Sequence, residues 1–344
     1  MTMTLPEVHL VGGSCAEALR LAPVAIAMRE QGRLTPFLLA AGPDPAAVEA
    51  TFAGFGLTPQ ITLPTGTDPA EALRRFDSFW AGRTPAAVVL RDTLGGALAA
   101  YWRRIPVIQI DAGRRTGELT PAAADADRRL LTQVATVHLT ATPLTAMNLL
   151  DERVAAGDVL LTGGTVADAV RALADRRGPS ATGARRLVLI GANRETADAI
   201  AGAVRPLTAR HPDLEVLTTD GTLPCPDRSR LLAEAYLVVT ADEDLAQEAL
   251  AAGVPVLVLG DAAGLSEAVH AGGALRVEPQ PVTVAARVAD LLDARVRRDG
   301  MAMCENPYGD GFAAHRAAQA TAALLGHGPF PDPMPVRPVA GVSR

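Results

Sequence analysis

Residues able to do acid and base chemistry concentrate between Ala86 and Arg129. Asp92 follows the apolar run AAVVL, and Asp111 ends the run IPVIQI with its next residue. Short runs of this kind, rich in Val and Ile, read as strands buried on both faces of a parallel sheet. Ligands of open α/β sheets bind outside the carboxyl ends of the strands, so both acids point at the expected crevice. Asp125 follows on the next segment, with Arg128 and Arg129 close behind. Three carboxylates and an arginine pair around one strand-end crevice suit acid/base catalysis. The plainer alternative is solvated loop charge with a helix N-cap at Asp92 or Asp125.

The elements that must position these acids repeat along the chain. VHLVGG, from Val8 to Gly13, leads through two glycines into SCAEALRLAPVAIAMREQG, whose apolar residues recur at helical spacing. Strand, glycine turn and helix open a Rossmann-like sheet, although the turn lacks the GxGxxG spacing of a dinucleotide fingerprint. TPFLLAAG and DPAAVEATFAGFG repeat the unit, and VATVHLTATPLTAMNLLDE and VLLTGGTVADAV continue it. The polar, Gly- and Pro-containing run from Ala174 to Arg186 reads as a linker. RLVLIG then restarts the alternation. The expected fold is α/β, with two Rossmann-like domains facing each other across a cleft. Their expected bounds are 1–173 and 187–311, on either side of the linker 174–186. A helical run over 312–326 is expected to cross back to the first domain, and the Pro-rich tail 327–344 to be unstructured.

Composition removes several classes of function. All 32 strong bases of the 344-residue chain are arginine, so no lysine is present for a Schiff base or a phosphate-gripping P-loop. A net charge of -6 and the lack of any basic stripe argue against nucleic-acid and membrane partners. Cys15, Cys225 and Cys304 are far apart and odd in number, which suits a reducing, cytoplasmic setting without a disulfide framework. None lies in a CxxC, so no metal site is expected. No charged-then-apolar leader opens the sequence, and no apolar run reaches membrane-spanning length.

Several motifs together resemble the non-hydrolysing UDP-N-acetylglucosamine 2-epimerases. GSCAEALRLAP, from Gly13 to Pro23, is similar to the family's GTRPEAIKMAP. RDT, IPVIQIDAGRRTGEL and the acid-and-arginine cluster resemble GDT, IPVxHVEAGLRTG and PEExNR. NLLDERV, LLTGGTVADA and NPYGDG follow the same series, the last with all six residues unchanged. The resemblance covers nearly the whole chain and implies the GT-B architecture, with no cofactor and a homodimer.

It also implies a reaction. Such enzymes remove the C2 proton of an acetamido sugar, expel UDP from C1 to leave a glycal, and add UDP back after reprotonation on the other face. By resemblance Asp92, Asp111 and Asp125 are the catalytic carboxylates. Two of them, Asp111 and Asp125, are one methylene shorter than the family's glutamates. Arg20, Arg115, Arg129, Asn193, Arg194 and Glu248 fall at or beside substrate-binding positions. Asp242, Glu243 and Asp244 replace an SGG whose amides cradle the diphosphate, Cys15 replaces its arginine, and Ala192 a histidine. These departures keep three readings open: a sugar-nucleotide 2-epimerase, a homologue with lost or altered catalysis acting as a binding partner, and a GT-B glycosyltransferase.

Overall fold

The structure is a computed structural model that describes residues 4–116, 124–175, 186–191, 196–219, 225–260 and 263–335. It divides into two compact units, Met1–Ala172 with Gly309–Pro338 and Leu173–Tyr308 with Val339–Arg344.

The strands of the first unit are β1 (Glu7–Gly12), β2 (Thr35–Gly42), β3 (Ile61–Pro64), β4 (Ala87–Leu90), β5 (Val107–Ala112), β6 (Val137–Thr140) and β7 (Val159–Leu161). They alternate with α1 (Cys15–Gln31), α2 (Pro45–Gly54), α3 (Pro69–Gly82), α4 (Leu94–Trp102), α5 (Ala124–Val134), α6 (Pro143–Asp151) and α7 (Val166–Asp175). All pairings are parallel, in the order β3-β2-β1-β4-β5-β6-β7. Strand order reverses direction after β3, so right-handed crossovers place α1 and α2 on one face and α3 to α6 on the other. Every residue of β4 and β5 is buried, as strands covered on both faces must be. Aromatics are scarce, and the stacked pair Phe76 and Trp80 fills the space between α3 and the sheet. Ala97, Ala99 and Ala100 complete that core, while Gly95 lets α4 approach α3 closely.

Helix starts follow local chemistry. Ser14, Asp44, Asp68 and Thr142 each accept a first-turn amide, and the last three are followed by proline at the first helical position. Gly32 ends α1 in the left-handed region, at φ 62°.

The second unit holds β8 (Arg186–Gly191), β9 (Leu214–Thr219), β10 (Ala235–Thr240), β11 (Val256–Leu259) and β12 (Ala274–Val277). Their order is β12-β11-β10-β8-β9, again all parallel. The helices are α8 (Ala197–Arg210), α9 (Cys225–Glu234), α10 (Glu243–Ala251), α11 (Ser266–Ala271), α12 (Pro281–Asp293) and α13 (Arg295–Ala302). Leu237, Val239 and Leu257 anchor the core on one side of the sheet, and Val238, Val256 and Tyr308 on the other. No helix among the described residues is long and apolar enough to cross a membrane.

The chain returns to the first unit through NPYGDG. The last helix, α14 (Ala313–Leu324), packs on α1, and Gln31 donates to the His315 carbonyl at 2.9 Å. Of the expected linker, Ala174 and Asp175 belong to α7 and Arg186 to β8, while 176–185 lie outside the described residues. The beginning of the tail differs from the expectation of disorder. Met334 is buried, its N–H donates to the Leu161 carbonyl at 2.7 Å, and its sulfur lies against Gly163. A proline-rich segment needs no hydrogen bonds of its own, so one docked methionine and one strand-edge bond order it.

Gly309 packs so closely that a methyl group there would lie 2.6 Å from the Gly164 oxygen. Gly309→Ala should therefore destabilise the protein by about 1–3 kcal/mol in urea unfolding. Gly82→Ala, at a helical site with nothing within 4 Å, should be neutral or slightly stabilising. Equal midpoints for the two variants would contradict this packing.

Candidate active site

The first unit gathers its charged residues where β4 and β5 end. β5 carries one residue more than β6 between paired positions, since Gln109 faces His138 and Ala112 faces Thr140. This bulge turns Asp111 into the left-handed region at φ 50°, a conformation that costs a non-glycine residue about 1 kcal/mol. Gly113 follows at φ 81°, pressed against the Thr145 carbonyl, and Asn148 holds the Gly113 oxygen at 2.9 Å. The strained turn is thus fixed from the start of α6.

Arg20, fully buried on α1, places its Nε 2.8 Å from Asp111 Oδ2. Arg91 Nε lies 3.5 Å from the same oxygen and 3.6 Å from Asp92 Oδ2. Among the described residues, Asp111 Oδ1 is buried and accepts no hydrogen bond. An acceptor left open in a buried cationic pocket is a natural place for a ligand proton. Asp92 is held by Arg114 at 2.7 Å and approached by Arg128 at 3.5 Å. Arg128 also reaches Asp125 at 3.2 Å, whose second oxygen takes the Thr116 N–H at 2.7 Å. Asp125 is buried, with both oxygens engaged. The cap of α4 is Thr93 rather than Asp92, and Asp125 stands in the first turn of α5, so neither acid is a helix N-cap.

Asp92, Asp111, Asp125 and Arg20 therefore come together, joined by Arg91, Arg114 and Arg128. Two of the three other arginines expected at the site, Arg115 and Arg129, are paired elsewhere. Arg115 grips Glu152 with two bonds of 2.9 and 2.7 Å, and Arg129 reaches the same carboxylate at 2.7 Å. The Arg115 bond holds Glu152 below the usual carboxylate range. Within the Arg-Arg pair of the DAGRRTG motif, the first arginine meets Asp92 and the second faces away to α6.

Glu17 was not among the expected site residues. It is 5% exposed, and Oε2 accepts from Thr93 Oγ1 at 2.8 Å and from the Gly13 N–H at 3.2 Å. Burial, then the charge of Asp92, pushes its carboxyl up to about 7, against the lowering pull of Thr93, Gly13 and Arg91. Its sequence signal was the capping-box spacing Ser14-x-x-Glu17. Neither buried strand histidine has a comparable setting. His9 accepts from Trp80 at 3.0 Å and meets Glu7 at 2.9 Å, and burial lowers the His138 imidazole to about 4.

In the second unit Asp242 caps α10, accepting from the Asp244 and Leu245 amides at 2.8 and 3.4 Å. Glu243 and Asp244 occupy the first turn, with the Glu243 carboxylate against Gly264. Glu248, a turn further on and fully buried, is gripped at both oxygens by Arg228, at 2.9 and 2.6 Å. Asn193 and Arg194 lie outside the described residues.

Two all-parallel sheet units, with acids and arginines at the strand ends of the first, define a doubly wound α/β scaffold. The family model for UDP-N-acetylglucosamine 2-epimerase matches residues 27–219 and 181–322, and the chain belongs to that family. The UDP-N-acetylglucosamine 2-epimerase of Yersinia pestis is 29% identical over 270 residues, spanning 66% of this chain and 72% of that one. The S. aureus MnaA–UDP co-structure superposes with a TM-score of 0.88 at 21% identity, covering 96% of this chain and all of that one. The Neisseria meningitidis UDP-GlcNAc 2-epimerase bound to UDP-GlcNAc gives 0.83 at 21%, covering 93% of this chain and 100% of the other. These likenesses establish the fold.

Removing a buried carboxylate takes a counter-ion from the arginines around it. Asp111→Ala should cost about 3–5 kcal/mol in urea unfolding, because Arg20 and Arg91 both lose a buried counter-ion. The double variant Arg20→Met, Asp111→Leu should recover most of that loss. A single variant as stable as wild type would show that the pair is not desolvated in solution.

Proposed function

We propose that this protein is a sugar-nucleotide 2-epimerase, acting on UDP-N-acetylglucosamine or a related nucleotide-linked amino sugar. The observation that carries this reading is the convergence of Asp92, Asp111 and Asp125 with four arginines at the ends of β4 and β5, in a member of this family. Asp111 is the base: Arg20 and Arg91 hold one oxygen and leave Oδ1 to accept the C2 proton. Asp125, saturated by Thr116 and Arg128, positions the cluster instead of exchanging protons. Asp92 stays in a cage of Arg114, Arg128 and Arg91, fitted to hold charge. The guanidiniums offset the negative charge that develops as the C2 proton leaves and the nucleotide departs. Family membership ranks this isomerase reading above glycosyl transfer. Nucleotide binding is assigned to the second unit, and a cytoplasmic homodimer goes with the same reading. The exposed Tyr101 and Trp102 at the end of α4 are suited to such a contact.

In heavy water the wild type should place deuterium at C2 of its substrate, and Asp111→Asn should abolish the exchange, since Asn keeps the shape but accepts no proton. Undiminished exchange in that variant would remove Asp111 from the mechanism.

A second reading, a homologue with altered catalysis, is favoured by the second unit. The amides that start α10 are taken by Asp242, three acids stand there, and Arg228 occupies both oxygens of Glu248. A unit charge about 5 Å from another repels it by roughly 1–3 kcal/mol at intermediate dielectric, so a diphosphate is penalised at this helix start. Replacing Asp242, Glu243 and Asp244 by Ser, Gly and Gly should raise UDP affinity at least about tenfold in calorimetry, less so at high salt. Equal affinity at low salt would mean that the helix start is not where the diphosphate binds.

A further inference from the structure

We propose that Glu17 is a positioning residue for this site: through Thr93 it fixes the turn that carries Arg91 and Asp92, and its proton sets the charge presented to an anionic substrate. The inference rests on the epimerase reading for its substrate, and on geometry for its residue.

Three features set Glu17 apart from an ordinary capping glutamate. Ser14 does cap α1, accepting the Glu17 N–H at 3.3 Å, but the return bond goes to Gly13 in place of Ser14. A capping glutamate is normally solvated, whereas this one is buried beneath the turn. Thr93, in turn, stands at the N-cap of α4 without making a capping bond. Its hydroxyl is turned to Glu17 at 2.8 Å instead. The helix gives up a side-chain cap, ordinarily worth about 1 kcal/mol, for a link between the ends of β1 and β4. Gly13, at that junction, has no room for a side chain against the Thr93 hydroxyl.

The charges around Glu17 identify what its proton does. From the β4–α4 turn, Asp92 opposes its ionisation and Arg91 favours it; burial is the largest influence. Among the described residues, the other elements packed on α1 have charges that are engaged as follows. On α2, Asp44 caps its own helix and Glu49 meets Thr62; on α14, Arg316 pairs with Asp310; at the far end of β1, Glu7 pairs with Arg83. β2 carries no charged residue. Asp92 is caged by arginines, so of these two acids Glu17 is the one that takes the proton near neutrality. Among the described residues, with Glu17 protonated, Arg20, Arg91, Arg114 and Arg128 outnumber Asp92, Asp111 and Asp125 by one positive charge. Ionised Glu17 cancels it. The site should hold an anion better below pH 7 than above.

The test is the pH dependence of KM and kcat for C2 exchange in wild type, Glu17→Gln, Thr93→Ser and Thr93→Val. Wild-type KM should rise about tenfold from pH 6 to pH 8, as loss of one net charge near a multivalent anion implies. Glu17→Gln should hold KM within about twofold over that range while retaining turnover at pH 6. Thr93→Ser should behave as wild type, and Thr93→Val, which removes a donor to the carboxylate, should shift the rise to higher pH. A Glu17→Gln variant that keeps the wild-type rise overturns the proposal; if that variant does not fold, the Thr93 pair decides by the same criterion. Should the wild type exchange no nucleotide sugar, the epimerase reading fails and Glu17 is judged by melting temperature. Folded Glu17 keeps its proton up to about pH 7, whereas the unfolded carboxyl releases it near 4.5. Wild-type stability should therefore fall between pH 5 and pH 8 relative to Glu17→Gln. A difference that is the same at both pH values overturns the proposal.

Discussion

The buried contact between Arg20 and Asp111 constrains everything at the strand ends. Moving an ion out of water costs several kcal/mol even after relaxation, and only close, well-aligned counter-charges repay it. Arg20 is on α1 and Asp111 on β5, separated in the sheet by β1 and β4. Their 2.8 Å contact can form only where the first helix, the bulge in β5 and the Gly113 turn are all in place. Asp111 accepts left-handed strain to reach it, and Arg91 fills the gap between Asp111 and Asp92. The other charges follow: Arg114 fixes Asp92, and Arg128 ties Asp92 to Asp125.

The second unit applies the same physics to a different end. Arg228 and Glu248 also form a buried pair, but the guanidinium takes both carboxylate oxygens. A bidentate pair of this kind is strong and directional, and it leaves the carboxylate little to offer a ligand. Asp111 instead keeps one oxygen open. On the proposed reading, proton chemistry draws on an incompletely satisfied pair, and rigidity on a saturated one.

Much of the fold was legible because a parallel sheet leaves simple traces. Apolar β-branched runs marked the buried strands, and apolar residues recurring at helical spacing marked α1 after the first of them. Asp92 and Asp111 were visible because strand ends are where such sheets bind ligands. The arginine partners were not. Arg114 and Arg115 are adjacent and chemically alike, and only the turn after β5 decides which of them meets Asp92. Glu17 was hidden because its spacing from Ser14 already has a complete local explanation, and its burial depends on a turn 76 residues away. Met334 was hidden for a related reason: a proline-rich composition predicts no regular element but does not forbid docking.

NPYGDG, unchanged in all six residues from the family pattern, has a fold requirement at each end in the structure. Asn306 accepts the Tyr308 N–H at 3.0 Å, and Tyr308 is buried in the core of the second unit. Gly309 then opens the return to the first unit, against Gly164, and Gly311 adopts φ 79° beside the Arg171 guanidinium. Asp310 accepts the Phe312 N–H and pairs with Arg316, which also holds the Thr162 carbonyl. Asp168 on α7 meets the Ala314 N–H at the start of α14. Both crossings of the chain therefore meet in one small polar knot inside the first unit, at the place where α7 leaves and α14 begins. A site that must fix one close glycine contact, one left-handed glycine and an aspartate–arginine pair is constrained by the fold, whatever reaction is performed elsewhere. In this chain the motif serves the return to the first unit, and the case for chemistry rests on the carboxylates at the ends of β4 and β5.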